Sequence, residues 1–567
     1  MKEQSGIWKK YFRMLLDAGL PWGLMVICFA LAMLTSQLTL TFANKLGTTL
    51  VPYDDMSQAK GPLFVLFALG IGNIIVKVAS AWLQGIVTAQ VDRNLQKHAV
   101  KKVFYLKTSD VEKGDPREMI TRLTEDTSKS SVFLVDLMIN EIPRLYYMVM
   151  AVIQVIALKR PILIACTLAV VPIVLLGSII GGKLTFNNRN AIQQNIAVLT
   201  ARLAEKIDNI EIIKAYHTEE KEILSGNEVI DELDKVKKQG VLVDQINAFI
   251  KNMMWFLPLL VIIIPPALLL FKGEMTQGDF YAYILIVTTF RSKAEEHLTL
   301  WIYLKEAQGA SLRLSEILNM KSEKEIKGAV PLIGDLHFDH VSFSYDDKKV
   351  LDDVSFTIPQ GKKTALVGLS GSGKSTMLNL IEKFYEPQKG SILLNGQNIA
   401  EADCQKYRKM FAYLPQNATG FNGTVRDMLL LSCNIDTNDE KLKEVLKQVE
   451  LPELDLDDEI GYEGEKLSGG QRQKLGIARL LLSDAEYFLL DEATSALDAE
   501  ATDILQKRID EETSGKTQIV VAHDLSTVIN ADKIMLFDNG RLSAEGTHEE
   551  LLKNSELYRQ LTLKEAN

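Results

Sequence analysis

The chain has 567 residues and a formal net charge of −10, with 63 Lys and Arg against 73 Asp and Glu. This length exceeds one ordinary domain, and the acidic balance argues against a nucleic-acid-binding protein, which usually carries a basic excess. The four cysteines, Cys28, Cys166, Cys404 and Cys433, form no C-x-x-C pair, so the sequence predicts neither a zinc site nor a disulfide framework.

The N-terminal 17 residues are predicted to form an interfacial helix on the membrane surface. Bulky apolar and basic residues alternate there at helical spacing, between residues 6 and 16. From Ala18 to Asn44 the chain then carries no charge, which exceeds the roughly 20 residues that cross a bilayer. Because this run is too long for a signal peptide, it is predicted to be the first membrane span.

The hydropathy pattern predicts five further spans. They lie at about 61–86, 132–157, 161–182, 252–271 and 277–304. Two long polar helical stretches, at about 87–131 and 183–245, are separated by two crossings and therefore share one side of the membrane. Both carry many Lys and Arg near the span ends, so the positive-inside rule places them, the N-terminus and the C-terminal half in the cytoplasm.

Several charged residues fall inside the predicted spans, where charge is costly and usually faces a cavity or a partner. They are Lys77, Asp136, Glu141, Arg144, Arg291 and Glu296. Arg291 and Glu295 stand four residues apart and could pair on one helix face. If the sixth helix extends beyond the bilayer, its charges lie in water, and this alternative to substrate contact stays open.

The C-terminal half reads as a different kind of domain. Residues 18–318 are predicted to be the transmembrane domain, 319–333 a charge-rich linker, and 334–567 a soluble domain. Residues 336–345 alternate like a strand. Further strands are predicted at 363–367, 391–394, 410–414, 486–490, 517–522 and 533–537. The fold class is therefore a multidomain membrane protein, with an all-α six-helix domain followed by an α/β domain.

The strand at 363–367 leads into Gly-Leu-Ser-Gly-Ser-Gly-Lys-Ser-Thr at residues 368–376, which fits the phosphate-binding (Walker A) pattern G-x-x-x-x-G-K-[ST]. Glycines let the backbone curl so that its N–H groups face an anion. The lysine adds a charge for the β- and γ-phosphates, and the serine after it offers a hydroxyl to Mg²⁺. The predicted nucleotide-binding residues here are Ser370, Gly371, Ser372, Gly373, Lys374, Ser375 and Thr376.

A second apolar strand, at 487–490, ends in Asp491 and Glu492. The first carboxylate of such a pair can hold Mg²⁺, and the second can act as the general base that polarises the attacking water. Following a phosphate-binding loop, this pair predicts nucleotide hydrolysis. Asp491 is accordingly assigned to the metal and Glu492 to catalysis.

Leu467-Ser468-Gly469-Gly470-Gln471 is the most specific pentapeptide in the chain, and it resembles the signature sequence of ATP-binding cassette (ABC) proteins. Physically it offers a second anion-binding loop at a helix N-terminus. The resemblance implies that ATP is held between two cassettes, each presenting its signature loop to the other's phosphate loop. Ser468, Gly469, Gly470 and Gln471 are therefore predicted to bind nucleotide.

Other positions match the family pattern one by one, and their roles are implied by that resemblance alone. Tyr345 matches an aromatic that stacks on adenine. Gln416 matches a glutamine that reaches Mg²⁺ and senses the membrane half, and His523 matches a histidine that contacts the γ-phosphate. Residues 495–498 match the loop that crosses the dimer interface.

Six spans followed by one cassette look like an ABC exporter half-transporter, and the likeness covers essentially the whole chain. It implies ATP and Mg²⁺ as ligands and a second copy of the chain, or a homologous half-transporter, as partner. A complete set of site residues favours the homodimer. Tips near 108–115 and 209–218 are expected to dock on the cassettes as short coupling helices.

The implied function is ATP-driven export or flipping of a substrate across the plasma membrane by alternating access. Two alternatives stay open, an ATP-gated channel or regulatory membrane subunit and an importer built on an exporter-like fold. The substrate, whether peptide, lipid or drug, is not readable from the sequence. Nucleic acid is not expected as a partner.

Overall fold

The computed structural model describes residues 11–49, 56–112, 114, 116–323, 328–329, 331–416, 422–433, 437–494, 497–522 and 528–565. The chain divides into two compact units. One comprises residues 1–101 and 117–319, and the other comprises residues 102–116 and 320–567.

Helices dominate the chain before residue 320. They are α1 (Trp22–Thr49), α2 (Met56–Val103), α3 (Thr108–Glu112), α4 (Pro116–Thr121), α5 (Thr127–Val135), α6 (Ile142–Ala157), α7 (Pro161–Asp208), α8 (Ile210–Ala215), α9 (Glu219–Phe271) and α10 (Gln277–Asn319). A π-helix over Arg122–Asp126 precedes α5, and a second over Asp136–Glu141 joins α5 to α6. The six predicted spans all fall on helices, so the all-α character of this half is confirmed. The predicted domain boundaries stay predictions.

Three helices among the described residues are long and apolar enough to cross a membrane: α1, the part of α2 from Lys60 to Val103, and α9. Helix α7 also contains an apolar segment, Pro161–Gly177, among the described residues. Charges explain why the third and sixth predicted spans are less apolar, because the π-helix carries Asp136 and Glu141 and α10 carries four charged residues near its middle. Such π-turns inside helices are frequent at functional sites.

The charges of the third predicted span are paired within the protein. The guanidinium of Arg144 lies 2.8 Å from Asp136, 3.3 Å from Glu141 and 3.2 Å from Glu296 on α10. His297 Nδ1 also contacts the Glu141 carboxylate. These contacts join α6 and the π-helix to α10, as expected for charges that must find partners at membrane depth.

The remaining charged candidates behave differently from one another. Arg291 Nη1 lies 3.6 Å from Glu295 Oε2, which is the pairing along one helix face that the spacing allowed. Lys77 is exposed. Helix α9 continues through Pro258, Pro265 and Pro266.

The segment before α1 is helical over residues 11–18, and the first ten residues of the predicted interfacial helix lie outside the described residues. Tyr11 and Leu15 are fully buried. The Tyr11 hydroxyl donates to the carbonyl oxygen of Ser130, at 2.7 Å, and its ring packs 6.0 Å from that of Phe133. One side of this segment is therefore covered by protein.

Residues 102–116, at the end of α2, pack with the C-terminal unit. Leu106 forms a β-bridge with Ser322, and the Glu323 amide donates to the carbonyl oxygen of Tyr105 at 2.8 Å. Both predicted tips contain a short helix, α3 and α8, although Lys113 and Asp115 lie outside the described residues. Docking of the second tip stays a prediction.

The C-terminal unit contains two sheets. Its strands are β1 (Leu336–Tyr345), β2 (Lys348–Ile358), β3 (Lys363–Gly368), β4 (Lys389–Leu394), β5 (Gln397–Asn398), β6 (Phe411–Leu414), β7 (Tyr487–Asp491), β8 (Thr517–Val521), β9 (Lys533–Asp538) and β10 (Arg541–Gly546). The first sheet has the order β2-β1-β4-β5, and the second has the order β10-β9-β3-β8-β7-β6. The seven predicted strands are present within one or two residues, and β2, β5 and β10 are additional.

The helices of this unit are α11 (Lys374–Ile381), α12 (Cys404–Arg408), α13 (Val425–Leu429), α14 (Asp439–Gln448), α15 (Gly469–Leu481), α16 (Ala499–Glu512), α17 (His548–Asn554) and α18 (Glu556–Glu565). The α/β part of the fold class is therefore also confirmed. In the larger sheet β3, β8, β7 and β6 run parallel. Parallel strands end at the same edge, where ligands of such sheets bind. This edge brings together the residues that follow β3, β6 and β7.

Candidate functional site

The loop between β3 and α11 has a backbone that requires glycine. Gly373 has φ +98°, and a Cβ there would lie 2.6 Å from Leu351 Cδ2. A Cβ on Gly368 would lie 2.2 Å from the carbonyl oxygen of Phe537. The loop is thus packed against neighbouring backbone and side chains, and it leads directly into the N-terminus of α11.

Lys374 lies inside this loop, with 7% of its surface exposed. Its Nζ donates to the carbonyl oxygens of Gly368 at 2.8 Å and Leu369 at 3.1 Å. Burial lowers the pKa of this ammonium, while the charges of Glu492 and Asp491 oppose the shift. Both partners of its Nζ among the described residues are carbonyl oxygens and neither is a carboxylate. The charge of Lys374 therefore remains available for an anion.

Two features of the loop fit a phosphate chain. The N–H groups of the first turn of α11 have no intrahelical partner and lie at the positive end of the helix. The buried hydroxyl of Ser372 also has no hydrogen-bond partner in the described structure. A bound triphosphate would satisfy donors that the protein leaves open here.

A candidate Mg²⁺ position lies between α11 and the end of β7. The Ser375 hydroxyl donates to Asp491 Oδ1 at 3.2 Å. Asp491 is 4% exposed, and burial raises its pKa while the bond from Ser375 lowers it. No group of three or more His, Cys, Asp or Glu side chains within the described residues could hold a metal alone. The donor set instead fits Mg²⁺, which is usually bound by one or two carboxylates, waters and substrate phosphates.

Glu492 is held from two directions. Its carboxylate accepts a hydrogen bond from Gln416 Nε2 at 2.7 Å, and its carbonyl oxygen accepts one from Gln473 Nε2 at 3.0 Å. Its backbone has φ +50°, a left-handed conformation that is uncommon for a residue other than glycine and concentrates at functional sites. The surrounding bonds thus fix the predicted base in a strained position next to Asp491.

Tyr345 is the last residue of β1. Its hydroxyl accepts a long hydrogen bond, 3.4 Å, from Asn379 Nδ2 on α11. Its ring meets Phe343 edge-on with centroids 4.9 Å apart. The side chain is half-buried, which leaves part of the ring for a base to stack on.

The signature residues form a helix N-terminus of their own. Ser468 caps α15 by accepting from the Gln471 amide at 3.2 Å, and Gln471 Oε1 accepts from the Ser468 amide at 2.9 Å. This reciprocal pair is a capping box. Across the described residues, no hydrogen bond joins Ser468 or Gln471 to the phosphate loop, as expected if this loop serves a site elsewhere.

The predicted histidine and part of the predicted interface loop fall outside the described residues. His523 lies outside the described residues, and so do Ser495 and Ala496. Asp498 is described and caps α16 by accepting from the Ala501 amide at 2.8 Å. The roles assigned to the individual site residues therefore stay predictions.

Gln473 and Tyr385 contact predicted site residues, although no sequence pattern predicted a place for them in the site. Gln473 stands five residues after Ser468, and only the fold reveals that its amide reaches the backbone of Glu492. Tyr385 follows α11 and contacts the Tyr345 ring, with centroids 5.1 Å apart. Together the assembled groups can bind a triphosphate, hold Mg²⁺ and accept a proton from water.

Comparisons with known proteins agree with this geometry. The family description "ABC transporter transmembrane region" matches residues 22–293, and "ABC transporter" matches residues 351–495. A multidrug resistance ABC transporter ATP-binding and permease protein of Lactococcus lactis subsp. lactis (strain IL1403) is 29% identical over 563 residues, covering 97% of this chain and 94% of the relative.

Two further relatives cover most of the chain. An ATP-dependent lipid A-core flippase of Haemophilus ducreyi is 30% identical over 513 residues, covering 88% of this chain and 87% of the relative. The solved structure of a bacterial Atm1-family ABC exporter with ATP bound has a TM-score of 0.83 at 21% identity, covering 98% of this chain and 99% of that one. At this identity the structural likeness concerns the fold.

Proposed function

This chain belongs to the ABC transporter family, with a transmembrane region and an ATP-binding cassette in one polypeptide, and we propose that it drives a substrate outward across a membrane by alternating access. It is an ATP hydrolase coupled to transport. The observation that carries this proposal is the convergence of Lys374, Ser375, Asp491, Glu492 and Gln416 at one sheet edge, in a chain whose other half is built from membrane helices.

The residues of the site divide the chemistry between them. Lys374 binds the β- and γ-phosphate oxygens, and the first N–H groups of α11 bind the rest of the phosphate chain. Ser375, Asp491 and Gln416 would hold Mg²⁺, which when bound neutralises negative charge on the β- and γ-phosphates. Glu492 takes a proton from the water that attacks the γ-phosphorus, and His523 positions the γ-phosphate.

The location of Glu492 supports this assignment of the base. Gln416 and Gln473 fix its side chain and its backbone, so the carboxylate needs little reorganisation before the reaction. Gln416 stands at the end of β6, and the same amide that would reach Mg²⁺ now contacts the base. It is therefore placed to respond to both.

We assign the complete site to two chains. The signature loop at Ser468 is capped and makes no hydrogen bond to the phosphate loop among the described residues, which supports its use by a partner. The partner is a second copy or a homologous half-transporter, and the complete set of site residues favours a homodimer with isologous contacts. Two ATP molecules then draw the cassettes together, and hydrolysis lets them separate.

Complementation between two inactive chains tests the shared site. Lys374→Ala and Ser468→Arg variants carry different affinity tags, and tandem purification isolates mixed dimers. One of the two sites in each mixed dimer then combines an intact phosphate loop with an intact signature loop, so about half of the wild-type ATP turnover is expected. No turnover in mixed dimers, with both parent homodimers inactive, would contradict a site built from two chains.

Direction, location and substrate class extend the same proposal. The Lys and Arg residues near the span ends support a cytoplasmic cassette and N-terminus in the plasma membrane. Export or flipping of a lipid, a peptide or a hydrophobic cation fits the architecture. Stimulation of ATP turnover in nanodiscs by one of these three classes, each tested with a defined panel, would identify the substrate class. Inhibition or indifference across all three panels would count against them.

A further inference from the structure

Three aromatic rings form a cluster beside the predicted adenine position. Tyr345 and Tyr385 meet edge-on with centroids 5.1 Å apart and an interplanar angle of 87°. Phe343 lies 4.9 Å from the Tyr345 ring and 5.5 Å from the Tyr385 ring. Edge-to-face packing at these distances fixes the relative orientation of the rings. The position of Tyr345 therefore depends on Tyr385.

The other end of Tyr385 reaches the first cytoplasmic tip. Its hydroxyl donates to the Glu112 carboxylate, at the end of α3. The next residue, Glu386, accepts from Lys107 Nζ at 2.7 Å, just before α3. Two consecutive cassette residues thus hold the tip, and the first of them, Tyr385, also contacts Tyr345.

We propose that Tyr385 is a positioning residue that couples adenine binding at Tyr345 to docking of the α3 tip through Glu112. This inference rests on the proposed function. It identifies the contacts through which adenine, as opposed to the phosphates, affects the membrane helices. Stacking of adenine on Tyr345 orders its ring, which restricts Tyr385 and keeps its hydroxyl directed at Glu112. Because α3 follows α2 in the chain, the signal enters the membrane domain through a covalent connection.

Coupling of this kind is reciprocal. If adenine strengthens tip docking by some factor, the docked tip strengthens adenine binding by the same factor. Loss of the hydroxyl contact should therefore weaken ATP binding although the hydroxyl lies away from the phosphates. The effect should depend on the base, which distinguishes it from general damage to the cassette.

The test uses the full-length protein in nanodiscs and three single variants. Tyr385→Phe keeps the ring and removes the hydroxyl, and Glu112→Leu keeps a good helix former at the tip and removes the hydrogen-bond acceptor. Each is expected to raise the KM for Mg-ATP at least about fivefold with little change in kcat, the lower end of usual coupling strengths. The double variant should be no worse than either single variant, because both remove one interaction. Lys107→Gln is the matched control, since it loses the neighbouring ion pair at the same tip and should stay within about twofold of wild type.

Magnesium tripolyphosphate, which has no base, provides the second readout. Its competitive inhibition constant should be unchanged in Tyr385→Phe, because its binding does not involve Tyr345. An unchanged KM in Tyr385→Phe and Glu112→Leu would overturn the inference. Effects on KM that multiply in the double variant, or an equal loss of tripolyphosphate affinity, would also overturn it.

These outcomes are separate from a failure of the proposed function. Absence of Mg-ATP turnover in the wild-type protein would refute the proposed function itself. Turnover in the wild type together with an unaffected KM in the variants would refute only the role of Tyr385. If Tyr385→Phe does not fold, Glu112→Leu alone decides, since it leaves the ring cluster intact.

Discussion

Replacement of Glu492 by glutamine separates ATP binding from ATP hydrolysis. The two side chains have nearly the same shape, and the amide oxygen of the new residue can still accept the hydrogen bond that Gln416 Nε2 now donates at 2.7 Å. The bond from Gln473 Nε2 goes to the backbone carbonyl, so it is also kept. The site should remain assembled and lose only its proton acceptor.

Loss of a general base typically slows a reaction about 10²- to 10⁴-fold, which corresponds to about 3–5 kcal/mol in the barrier. Phosphate release from the full-length Glu492→Gln protein in nanodiscs should fall by that factor. Binding of a fluorescent ATP analogue should stay within about threefold of wild type, because Lys374 and α11 are untouched. Glu549→Gln, at an exposed position on α17, is the matched control and should hydrolyse ATP normally.

Wild-type hydrolysis in Glu492→Gln would show that another group accepts the proton. Equal loss of binding and hydrolysis would also contradict the reasoning, because it would make Glu492 a residue that holds the site together.

Two further predictions concern buried ionisable side chains. Burial raises the pKa of the Glu382 carboxyl from 4.5 to about 7, with the Arg408 charge opposing the shift, so the folded protein keeps this proton while the unfolded chain loses it. The free energy of unfolding should therefore fall by on the order of 3 kcal/mol as pH rises from about 4.5 to 7, and Glu382→Gln should remove that fall. Thermal unfolding of both proteins at pH 5 and pH 8 measures the difference. An identical pH dependence in the variant would refute this. Arg144→Met leaves the Asp136 and Glu141 carboxylates without their guanidinium and should destabilise the protein by about 3–5 kcal/mol. The unfolding temperature in detergent should fall, and that of Arg144→Lys should be intermediate. A wild-type unfolding temperature in Arg144→Met would refute this.

Features that depend on a short stretch of sequence were predictable, whereas features that depend on contacts between distant residues were not. The loop at 368–376 and the strand ending in Asp491 are local patterns, and the structure brings Ser375 and Asp491 to 3.2 Å because both follow parallel strands of one sheet. The strand β2 was missed because Lys348, Lys349, Asp352 and Asp353 interrupt its apolar pattern. It forms because β1 pairs with it along nearly its whole length. Such pairing is tertiary information that no short window contains.

The membrane half shows the same limit. The apolar runs predicted where helices lie, but not how their charges are paired. Arg144 and Glu296 are 152 residues apart in the sequence and 3.2 Å apart in space. From the sequence alone, each such charge could face a cavity or pair with another charge. The packing of α6 against α10 shows that Arg144 pairs with Glu296.

The site residues illustrate both cases. Gln416 was assigned from its resemblance to the family pattern, and that role stays a prediction; the structure adds the contact of its amide with Glu492. Gln473 contacts Glu492 and Tyr385 contacts Tyr345, and both contacts join residues that are distant in the sequence. Their roles therefore became visible only in three dimensions.

Uphill accumulation in sealed vesicles tests the central claim most directly. Purified protein is reconstituted, and Mg-ATP is supplied only outside, so that cassettes facing outward are the ones energised. A fluorescent probe of the class that stimulates ATP turnover, whether a labelled lipid, a peptide or a hydrophobic cation, should then accumulate in the lumen or the inner leaflet. Accumulation should require hydrolysis and disappear in Glu492→Gln. ATP-dependent electrical conductance without accumulation, or ATP-dependent movement of the probe out of the lumen, would contradict an exporter.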